Sequence, residues 1–340
     1  MDQYGKALRL GSAVILCAIV LRLGTLGVFA PVGAWLTSPH VASVFLFLET
    51  GHVLRPAVPV ATTPPATEPA PTPTEAPPTT APTTPVQPAP EAPVFTSTDA
   101  ALVQVHSYCG YAPEVETWLE QPLSWELKQD RPTVLIVHSH GTESYENTEG
   151  YQETSKYRTR DENYNVVSIG DALVRLLEMG GVKALHDRQL HDYPSYSASY
   201  ANSRSSVQAY LDQYPSIRLV LDLHRDSVTN DDGDQLKYTV QTPKGTAAQL
   251  MLVVGTDAGG LSHAQWPENM SLAVKFHAQL EKLCPGICRP ISFRTQRFNQ
   301  DLSTGALLVE VGSAGNTRQE ALVAAEYLAQ TILTLAGGTQ

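Results

Sequence analysis

The sequence predicts an α/β fold in which a mostly parallel central sheet is covered by helices on both faces. Short apolar runs alternate along the chain with longer segments whose apolar residues recur at helical spacing. The run Val134–Val137 is apolar throughout, which is typical of a strand buried on both faces. Sheets of this kind bind ligands at the carboxyl ends of their strands.

The first half of the domain contains a predicted strand, Val134–Val137, between Pro132 and a His-rich turn. Apolar positions at helical spacing predict a helix over Asn163–Met179, and Gly180 and Gly181 end it. The pattern then predicts a strand, a helix and a strand over Val182–Leu185, Ser203–Tyr210 and Ile217–Leu223.

The second half opens with two runs, Tyr238–Thr242 and Leu250–Gly255, which are expected to pair because Pro243, Lys244 and Gly245 supply a turn between them. The remaining elements are a helix, two strands and a final helix, predicted over Glu268–Leu283, Ile291–Thr295, Ala306–Val311 and Thr317–Leu335.

Composition divides the 340-residue chain into an N-terminal region, a spacer and one domain. Residues 56–93 are nearly all Pro, Thr, Ala and Glu, which predicts a disordered or polyproline II linker. At about 3.1 Å per residue, such a linker reaches on the order of 100 Å. Residues 94–340 fit a single α/β domain, which is the predicted catalytic domain.

The N-terminal region is predicted to hold a membrane anchor. Leu10–Phe29 is apolar apart from Arg22, and Lys6 and Arg9 precede it. About 20 apolar residues span a bilayer, so residues 1–32 are expected to form a cytoplasmic tip and a transmembrane signal anchor that leaves the domain extracytoplasmic. A cleaved signal peptide is the alternative. Residues 33–55 include a second apolar stretch, whose contact with the membrane stays open.

The net charge bears on the class of binding partner, and the cysteine residues bear on disulfide bonding. The net charge of −11 argues against nucleic-acid binding, which needs a basic surface. Cys284 and Cys288 bracket the sequence C-P-G-I-C, and in an extracytoplasmic domain they are either bridged or free thiols.

Three polar residues interrupt or end the apolar runs. His140 follows the run Val134–Val137, His224 ends a second run, and Glu310 lies inside Ala306–Val311. Two imidazoles and a carboxylate at strand ends, with one position open to water, are typical of a catalytic zinc site. The sequence therefore predicts a zinc hydrolase with His140 and His224 as ligands, although a histidine at a strand end is also an ordinary polar residue.

The third ligand is expected from the run Arg158–Asn165, which offers Asp161 and Glu162 at a helix N-terminus. Asp161 is the better helix cap, which leaves Glu162 as the ligand; capping by either is the alternative. His138 either replaces His140 or orients it. Glu143 is a candidate for metal or substrate contact, or an ordinary loop acid.

Glu310 is the predicted general base. Burying a carboxylate in an apolar strand costs several kcal/mol unless it has a partner, for which Arg294 or Arg297 is available. Burial also raises the pKa of a carboxyl group toward the range that a general base needs. Arg225 and Asp226 follow His224 directly and are candidates for contacts with the ligands or the substrate.

Together these motifs resemble a known family. V-H-S-H-G, L-D-L-H and L-L-V-E-V-G-S are similar to the zinc-dependent N-acetylmuramoyl-L-alanine amidases of the type 3 class. The finer pattern resembles the stage II sporulation protein P family, through H-x-H-G-T-E-S-Y, D-x-N-Y-N-V-V, H-D-x-P-S-Y-x-x-S-Y and D-L-H-R-D. The register of the resemblance favours Glu162 over Asp161, although the interval from His140 is longer than in typical amidases.

The resemblance implies a Zn²⁺ enzyme that cleaves the amide between muramic acid and L-alanine, and also peptide cross-links, in peptidoglycan during engulfment of the forespore. It implies two partners, the membrane-bound stage II sporulation protein D, a lytic transglycosylase, and the polytopic stage II sporulation protein M. It also implies a location between the two membranes of the sporangium. The alternatives are a zinc amidohydrolase or carboxypeptidase acting on small acyl-amino acids or peptides, and a non-catalytic cell-wall scaffold.

Overall fold

The computed structural model describes residues 93–146, 151 and 157–339. The predicted anchor in residues 1–32, the apolar residues 33–55 and all but the end of the spacer lie outside this part of the chain. Among the residues described, no helix is both long and apolar enough to cross a membrane.

A seven-stranded sheet forms the centre of the described domain. Across the sheet the order is β1-β8-β7-β9-β4-β2-β3, and every neighbouring pair is parallel except β7 and β9. These strands are β1 (Val105–Ser107), β2 (Val134–Val137), β3 (Ala184–His186), β4 (Leu219–Asp226), β7 (Leu250–Val254), β8 (Ile291–Phe293) and β9 (Ala306–Ser313). The mostly parallel sheet is confirmed.

Helices cover both faces of this sheet. Successive side chains of a strand point to opposite faces, and here both sets are largely apolar. Val134 and Ile136 of β2 join the larger core, with the helices α3 (Val166–Met179), α5 (Trp266–Leu283) and α6 (Arg318–Thr334). Leu135 and Val137 face the other way and pack with Val207 of α4 (Ser199–Gln213). Helix α4 thus covers the second face where β2, β4 and the start of β9 lie.

The expected pairing of Tyr238–Thr242 with Leu250–Gly255 is wrong. Strand β5 (Thr239–Thr242) pairs instead with β6 (Gly245–Ala248), and Thr242 lies opposite Gly245. Gly245 has a φ of 115°, which only glycine adopts readily, so the chain returns at once after a two-residue turn. Strand β7 is buried and apolar, and it joins the centre of the large sheet.

The start of α3 also differs from the prediction. The helix begins at Val166, and Asn165 caps it by accepting a hydrogen bond of 3.0 Å from the backbone N–H of Val167. Asp161 accepts from the backbone N–H of Asn163 at 3.0 Å, which closes a turn ahead of the helix. Neither Asp161 nor Glu162 therefore lies at the helix N-terminus, because the asparagine competes better for the capping position.

The sequence analysis missed three short elements before β2: β1 and the helices α1 (Ser97–Ala100) and α2 (Val115–Glu120). They are too short to show a clear periodicity. The other predicted elements are present with their ends shifted by a few residues. Cys284 and Cys288 are free thiols.

Candidate active site

The candidate site lies where β2, β4 and β9 are neighbours. His140 comes three residues after the end of β2, and His224 on β4 lies directly opposite Glu310 on β9. All three strands are parallel, so these side chains lie close together near the carboxyl ends of the strands. They line a cleft of about 460 Å³ together with Glu143, Arg158, Tyr196, Tyr200, Arg225, Asp226, Ser227, Met251, Val253, Ser292, Arg294, Phe298 and Leu308.

His224 is held between two carboxylates. Its Nε2 lies 3.0 Å from Oδ1 of Asp222 and 2.8 Å from the hydroxyl of Ser139. Its Nδ1 lies 3.5 Å from Oε2 of Glu143. Burial lowers the pKa of His224, but the charges and hydrogen bonds of Asp222 and Glu143 outweigh it and raise the pKa well above its ordinary value. The ring is thus fixed in orientation, with Nδ1 directed at Glu143.

His140 is packed between aromatic rings. Its imidazole stacks on Tyr196 with the ring centroids 4.5 Å apart, and it meets the rings of Tyr200 and His224 edge-on at 5.5 and 5.4 Å. Burial lowers the pKa of His140, which favours the neutral imidazole that binds metals. Its Nδ1 is buried and has no hydrogen-bond partner among the described residues; Oδ2 of Asp192 is 4.0 Å away.

Glu143, which the sequence analysis named only as a candidate for metal or substrate contact, is a buried residue that lines the cleft. Burial raises its pKa, but Arg225 and His224 outweigh burial and lower the pKa to about 2. Its Oε2 accepts a hydrogen bond of 3.2 Å from the backbone N–H of Arg225, and Nη2 of Arg158 donates to Oε1 at 3.3 Å. Glu143 is therefore ionised at neutral pH and is held in contact with His224.

Glu310 has the opposite character. Burial, the largest influence, raises its pKa to about 8, even though His224 and Arg225 act in the other direction. Its Oε2 is buried and has no hydrogen-bond partner among the residues that the structure describes. In the described part of the chain, no ion pair joins it to Arg294 or Arg297, the partners that a purely structural role would need. A carboxyl group in this state accepts or donates a proton near neutral pH.

The structure does not bring Glu162 or His138 into the cleft. The carboxylate of Glu162 is partly exposed and pairs with the guanidinium of Arg188. His138 lies below the cleft, where its Nδ1 is 3.0 Å from the carbonyl oxygen of Leu223 and its Nε2 is 2.8 Å from Nε2 of His186. His138 and His140 do not point the same way, because β2 ends at Val137 and strand alternation ends with it.

Arg225 and Asp226 line the cleft as expected. The Arg225 side chain is buried and donates from Nε to the carbonyl oxygen of Ser144 at 2.8 Å, so it ties the loop that carries Glu143 to β4. Asp226 pairs with Arg289 at 2.6 Å.

Sequence reasoning missed Arg158, Tyr196 and Tyr200 as site residues. Nη1 of Arg158 lies 2.9 Å from Oδ2 of Asp192, and its guanidinium lies 4.6 Å from the centre of the Tyr196 ring. The signal was present in H-D-x-P-S-Y-x-x-S-Y, which contains Asp192 and both tyrosines, but the motif carries no metal-ligand spacing.

The donor set in the cleft fits a zinc ion in its chemistry. Two imidazoles and one ionised carboxylate, from His140, His224 and Glu143, are the ligands of many catalytic zinc sites. The buried Nδ1 of His140, which lacks any partner, is the kind of atom that a bound ion satisfies. As the side chains stand, however, the described residues contain no group of three or more His, Cys, Asp or Glu that could hold a metal ion.

Comparison with solved structures finds peptidoglycan amidases at low similarity. The N-acetylmuramoyl-L-alanine amidase AmiC2 of Nostoc punctiforme matches with 18% identity and a TM-score of 0.36, over 59% of this chain and 95% of its own. The N-acetylmuramoyl-L-alanine amidase from Clostridium difficile 630 matches with 15% identity and a TM-score of 0.38, over 61% of this chain and 97% of its own. Scores this low do not indicate function.

Comparison of sequences gives a stronger result. Stage II sporulation protein P of Bacillus subtilis (strain 168) is 30% identical over 204 residues, which cover 56% of this chain and 48% of the relative. The chain thus matches about half the length of that curated relative. The family model for stage II sporulation protein P matches residues 79–333, three quarters of the chain. The chain belongs to the stage II sporulation protein P family.

Proposed function

We propose that this chain is a zinc-dependent peptidoglycan hydrolase that cleaves the amide between muramic acid and L-alanine, and also peptide cross-links, during engulfment in sporulation. One observation carries the proposal: His140, His224 and the ionised Glu143 meet in a cleft beside Glu310, whose Oε2 is buried and has no hydrogen-bond partner among the described residues. Membership of the family supports the setting in sporulation.

His140, His224 and Glu143 would hold the zinc ion. Bound zinc polarises an amide carbonyl and lowers the pKa of a water molecule to near 7. Asp222 orients the His224 ring through Nε2, and Arg225 and Arg158 hold Glu143 in its ionised form. Glu162, the ligand implied by the resemblance, would first have to leave Arg188, so Glu143 is the better-supported third ligand.

Glu310 would act as the general base and acid. A carboxyl group with a pKa of about 8 takes the proton from the attacking water and returns it to the leaving amine. Amide hydrolysis needs the second transfer, because an unprotonated amine is a poor leaving group. The position of Glu310 opposite His224 in the β4–β9 pairing keeps it beside the ligands.

The proposal includes tethering and partners. Residues 1–32 would anchor the chain in the membrane, residues 56–93 would give the domain reach, and peptidoglycan would be the macromolecular substrate. The resemblance adds stage II sporulation proteins D and M as partners, with the domain between the two membranes of the sporangium. The net charge of −11 is consistent with the absence of nucleic acid among the partners.

The test uses the purified full-length chain. We expect close to one zinc ion per chain by elemental analysis, and release of free stem peptides from purified peptidoglycan. His140→Ala and His224→Ala should each lose zinc and activity while keeping the circular dichroism spectrum of a folded domain. Variants that retain stoichiometric zinc would refute this ligand set. Hydrolysis of small acyl-amino acids but not of peptidoglycan would favour a small-molecule amidohydrolase, and peptidoglycan binding without hydrolysis a scaffold.

A further inference from the structure

The cleft extends from His224 on β4 across residues of β9, β7 and β8 on the same face of the sheet. Register places Met251 opposite Glu310, Val253 opposite Leu308, and Ser292 beside Val253, so these side chains share the face that carries His224. Helix α4 packs on this face against Leu135, Val220 and Ala306, on β2, β4 and the start of β9. The side chains of Met251, Val253, Ser292 and Leu308 therefore line the cleft beside Glu310, on the side of β7 and β8.

Arg294 stands on this surface, one residue after the end of β8. Its guanidinium lies 5.1 Å from the centre of the Tyr108 ring, which supports it from one side. Within the described residues, the guanidinium of Arg294 makes no ion pair or side-chain hydrogen bond. It is half-buried, so part of its hydration is lost without replacement.

The other charges of the cleft are balanced. Glu143 is held by Arg225 and Arg158, and Asp226 is paired with Arg289. Within the described residues, Glu310 makes no ion pair with Arg294. Within the part of the chain that the structure describes, the positive charge of Arg294 therefore has no carboxylate partner, and an anionic group on the substrate would supply one.

We propose that Arg294 is a specificity-determining residue that binds a carboxylate of the acidic peptide next to the scissile amide. The inference rests on the proposed function and names the substrate class of the same site. A guanidinium binds a carboxylate through two parallel hydrogen bonds, and within the described residues the N–H groups of the Arg294 side chain make no hydrogen bond. The apolar floor of Met251, Val253 and Leu308 takes the aliphatic part of the peptide.

The experiment compares two N-acetylmuramoyl-L-alanyl peptides that differ only in whether the residue after L-alanine carries a free carboxylate or its carboxamide. The full-length chain should prefer the acid by about 10- to 100-fold in kcat/KM, mainly through KM, because the lost contact is a charged hydrogen bond. Arg294→Gln should collapse the ratio between the two substrates to near 1, and Arg294→Lys should restore part of it. The matched control is Arg175→Gln on α3, an exposed arginine outside the cleft, which should keep the wild-type ratio.

Two outcomes would overturn the inference: Arg294→Gln lowers kcat/KM equally on both peptides, or it leaves the preference for the acid intact. Melting temperatures of both Arg294 variants show whether a loss comes from unfolding. If the wild type cleaves neither peptide, the inference is tested on binding, and the proposed function fails only if the chain does not hydrolyse peptidoglycan either. Calorimetry with Glu310→Gln should then still show tighter binding of the acid than of the carboxamide, and the difference should disappear in the double variant with Arg294→Gln. Equal binding of both peptides would refute the inference independently of hydrolysis.

Discussion

Oε2 of Glu143 lies 3.5 Å from Nδ1 of His224, although Glu143 lies in the loop after β2 and His224 lies on β4. The other nitrogen of the same ring is 3.0 Å from Oδ1 of Asp222. Two carboxylates on opposite sides of one imidazole require a positive charge in this group, either a proton on the ring or a cation bound between Nδ1 and Glu143. This contact is the reason to prefer Glu143 over Glu162 as a ligand.

Glu143→Gln should therefore lower the zinc content of the full-length chain, whereas Glu162→Gln should leave it unchanged. An amide is a much weaker zinc ligand than a carboxylate. Glu162 makes a partly exposed ion pair with Arg188, so its replacement should change the unfolding free energy by no more than about 1 kcal/mol. Elemental analysis and urea denaturation of both variants give the answer. Loss of zinc in Glu162→Gln alone would restore the ligand predicted from the resemblance.

Glu310→Gln should keep zinc and lose activity by about 10²- to 10⁴-fold in kcat, the usual contribution of a general acid–base group. The amide has nearly the shape of the carboxyl group but cannot transfer protons. Because Oε2 of Glu310 has no hydrogen-bond partner, the replacement breaks no structural bond there. The measurements are zinc content and the rate of peptide release from peptidoglycan. A variant with wild-type activity would show that Glu310 is not the base.

Gly170→Ala should destabilise the fold by about 1 to 3 kcal/mol, the usual cost of overpacking. A Cβ at Gly170 would lie 2.5 Å from Nε2 of His186 and 2.8 Å from Nε2 of His138, two atoms that are already in contact with each other. Helix propensity alone predicts the opposite, a gain of about 1 kcal/mol. Urea denaturation distinguishes overpacking from helix propensity. A Gly170→Ala variant more stable than the wild type would mean that His138 and His186 move aside without cost.

Lys275 should make stability depend on pH in the alkaline range. Burial lowers the pKa of Lys275 from 10.5 to about 8. Between about pH 8 and pH 10.5 the unfolded chain holds a proton on Lys275 that the folded protein has released. The contribution of Lys275 to the free energy of unfolding therefore rises with pH. The ammonium donates to the carbonyl oxygen of Trp118 at 2.7 Å and to Ser271 Oγ at 3.0 Å.

The measurement is the unfolding free energy of wild type minus that of Lys275→Met, which removes the contribution of other titrating groups. This difference should become more positive as the pH rises from about 8 to about 10. A difference that is constant over the range, or that falls, would mean that Lys275 keeps its ordinary pKa.

Strong local patterns predicted most of the fold. Strand Val134–Val137 has the bounds that its apolar run indicates, and α3 ends at Met179, where two glycines follow. The partner of Leu250–Val254 was not predictable in the same way. An apolar run specifies burial, whereas the choice between a local hairpin and the centre of the large sheet depends on residues distant in sequence.

The sequence by itself indicated three polar residues that line the cleft and the strands that bring them there. His140, His224 and Glu310 are recognisable because a polar residue in a buried strand needs a partner or a function. Tertiary structure decided which carboxylate joins them. Asp161, Glu162 and Glu143 all lie within a few residues of a turn, and their local patterns do not separate them. Only the packing of the loop that carries Glu143 against β4, fastened by Arg225, brings that carboxylate to His224 and leaves Glu162 with Arg188. Local sequence specifies residue type and burial, while contact between distant segments follows from how the whole sheet assembles.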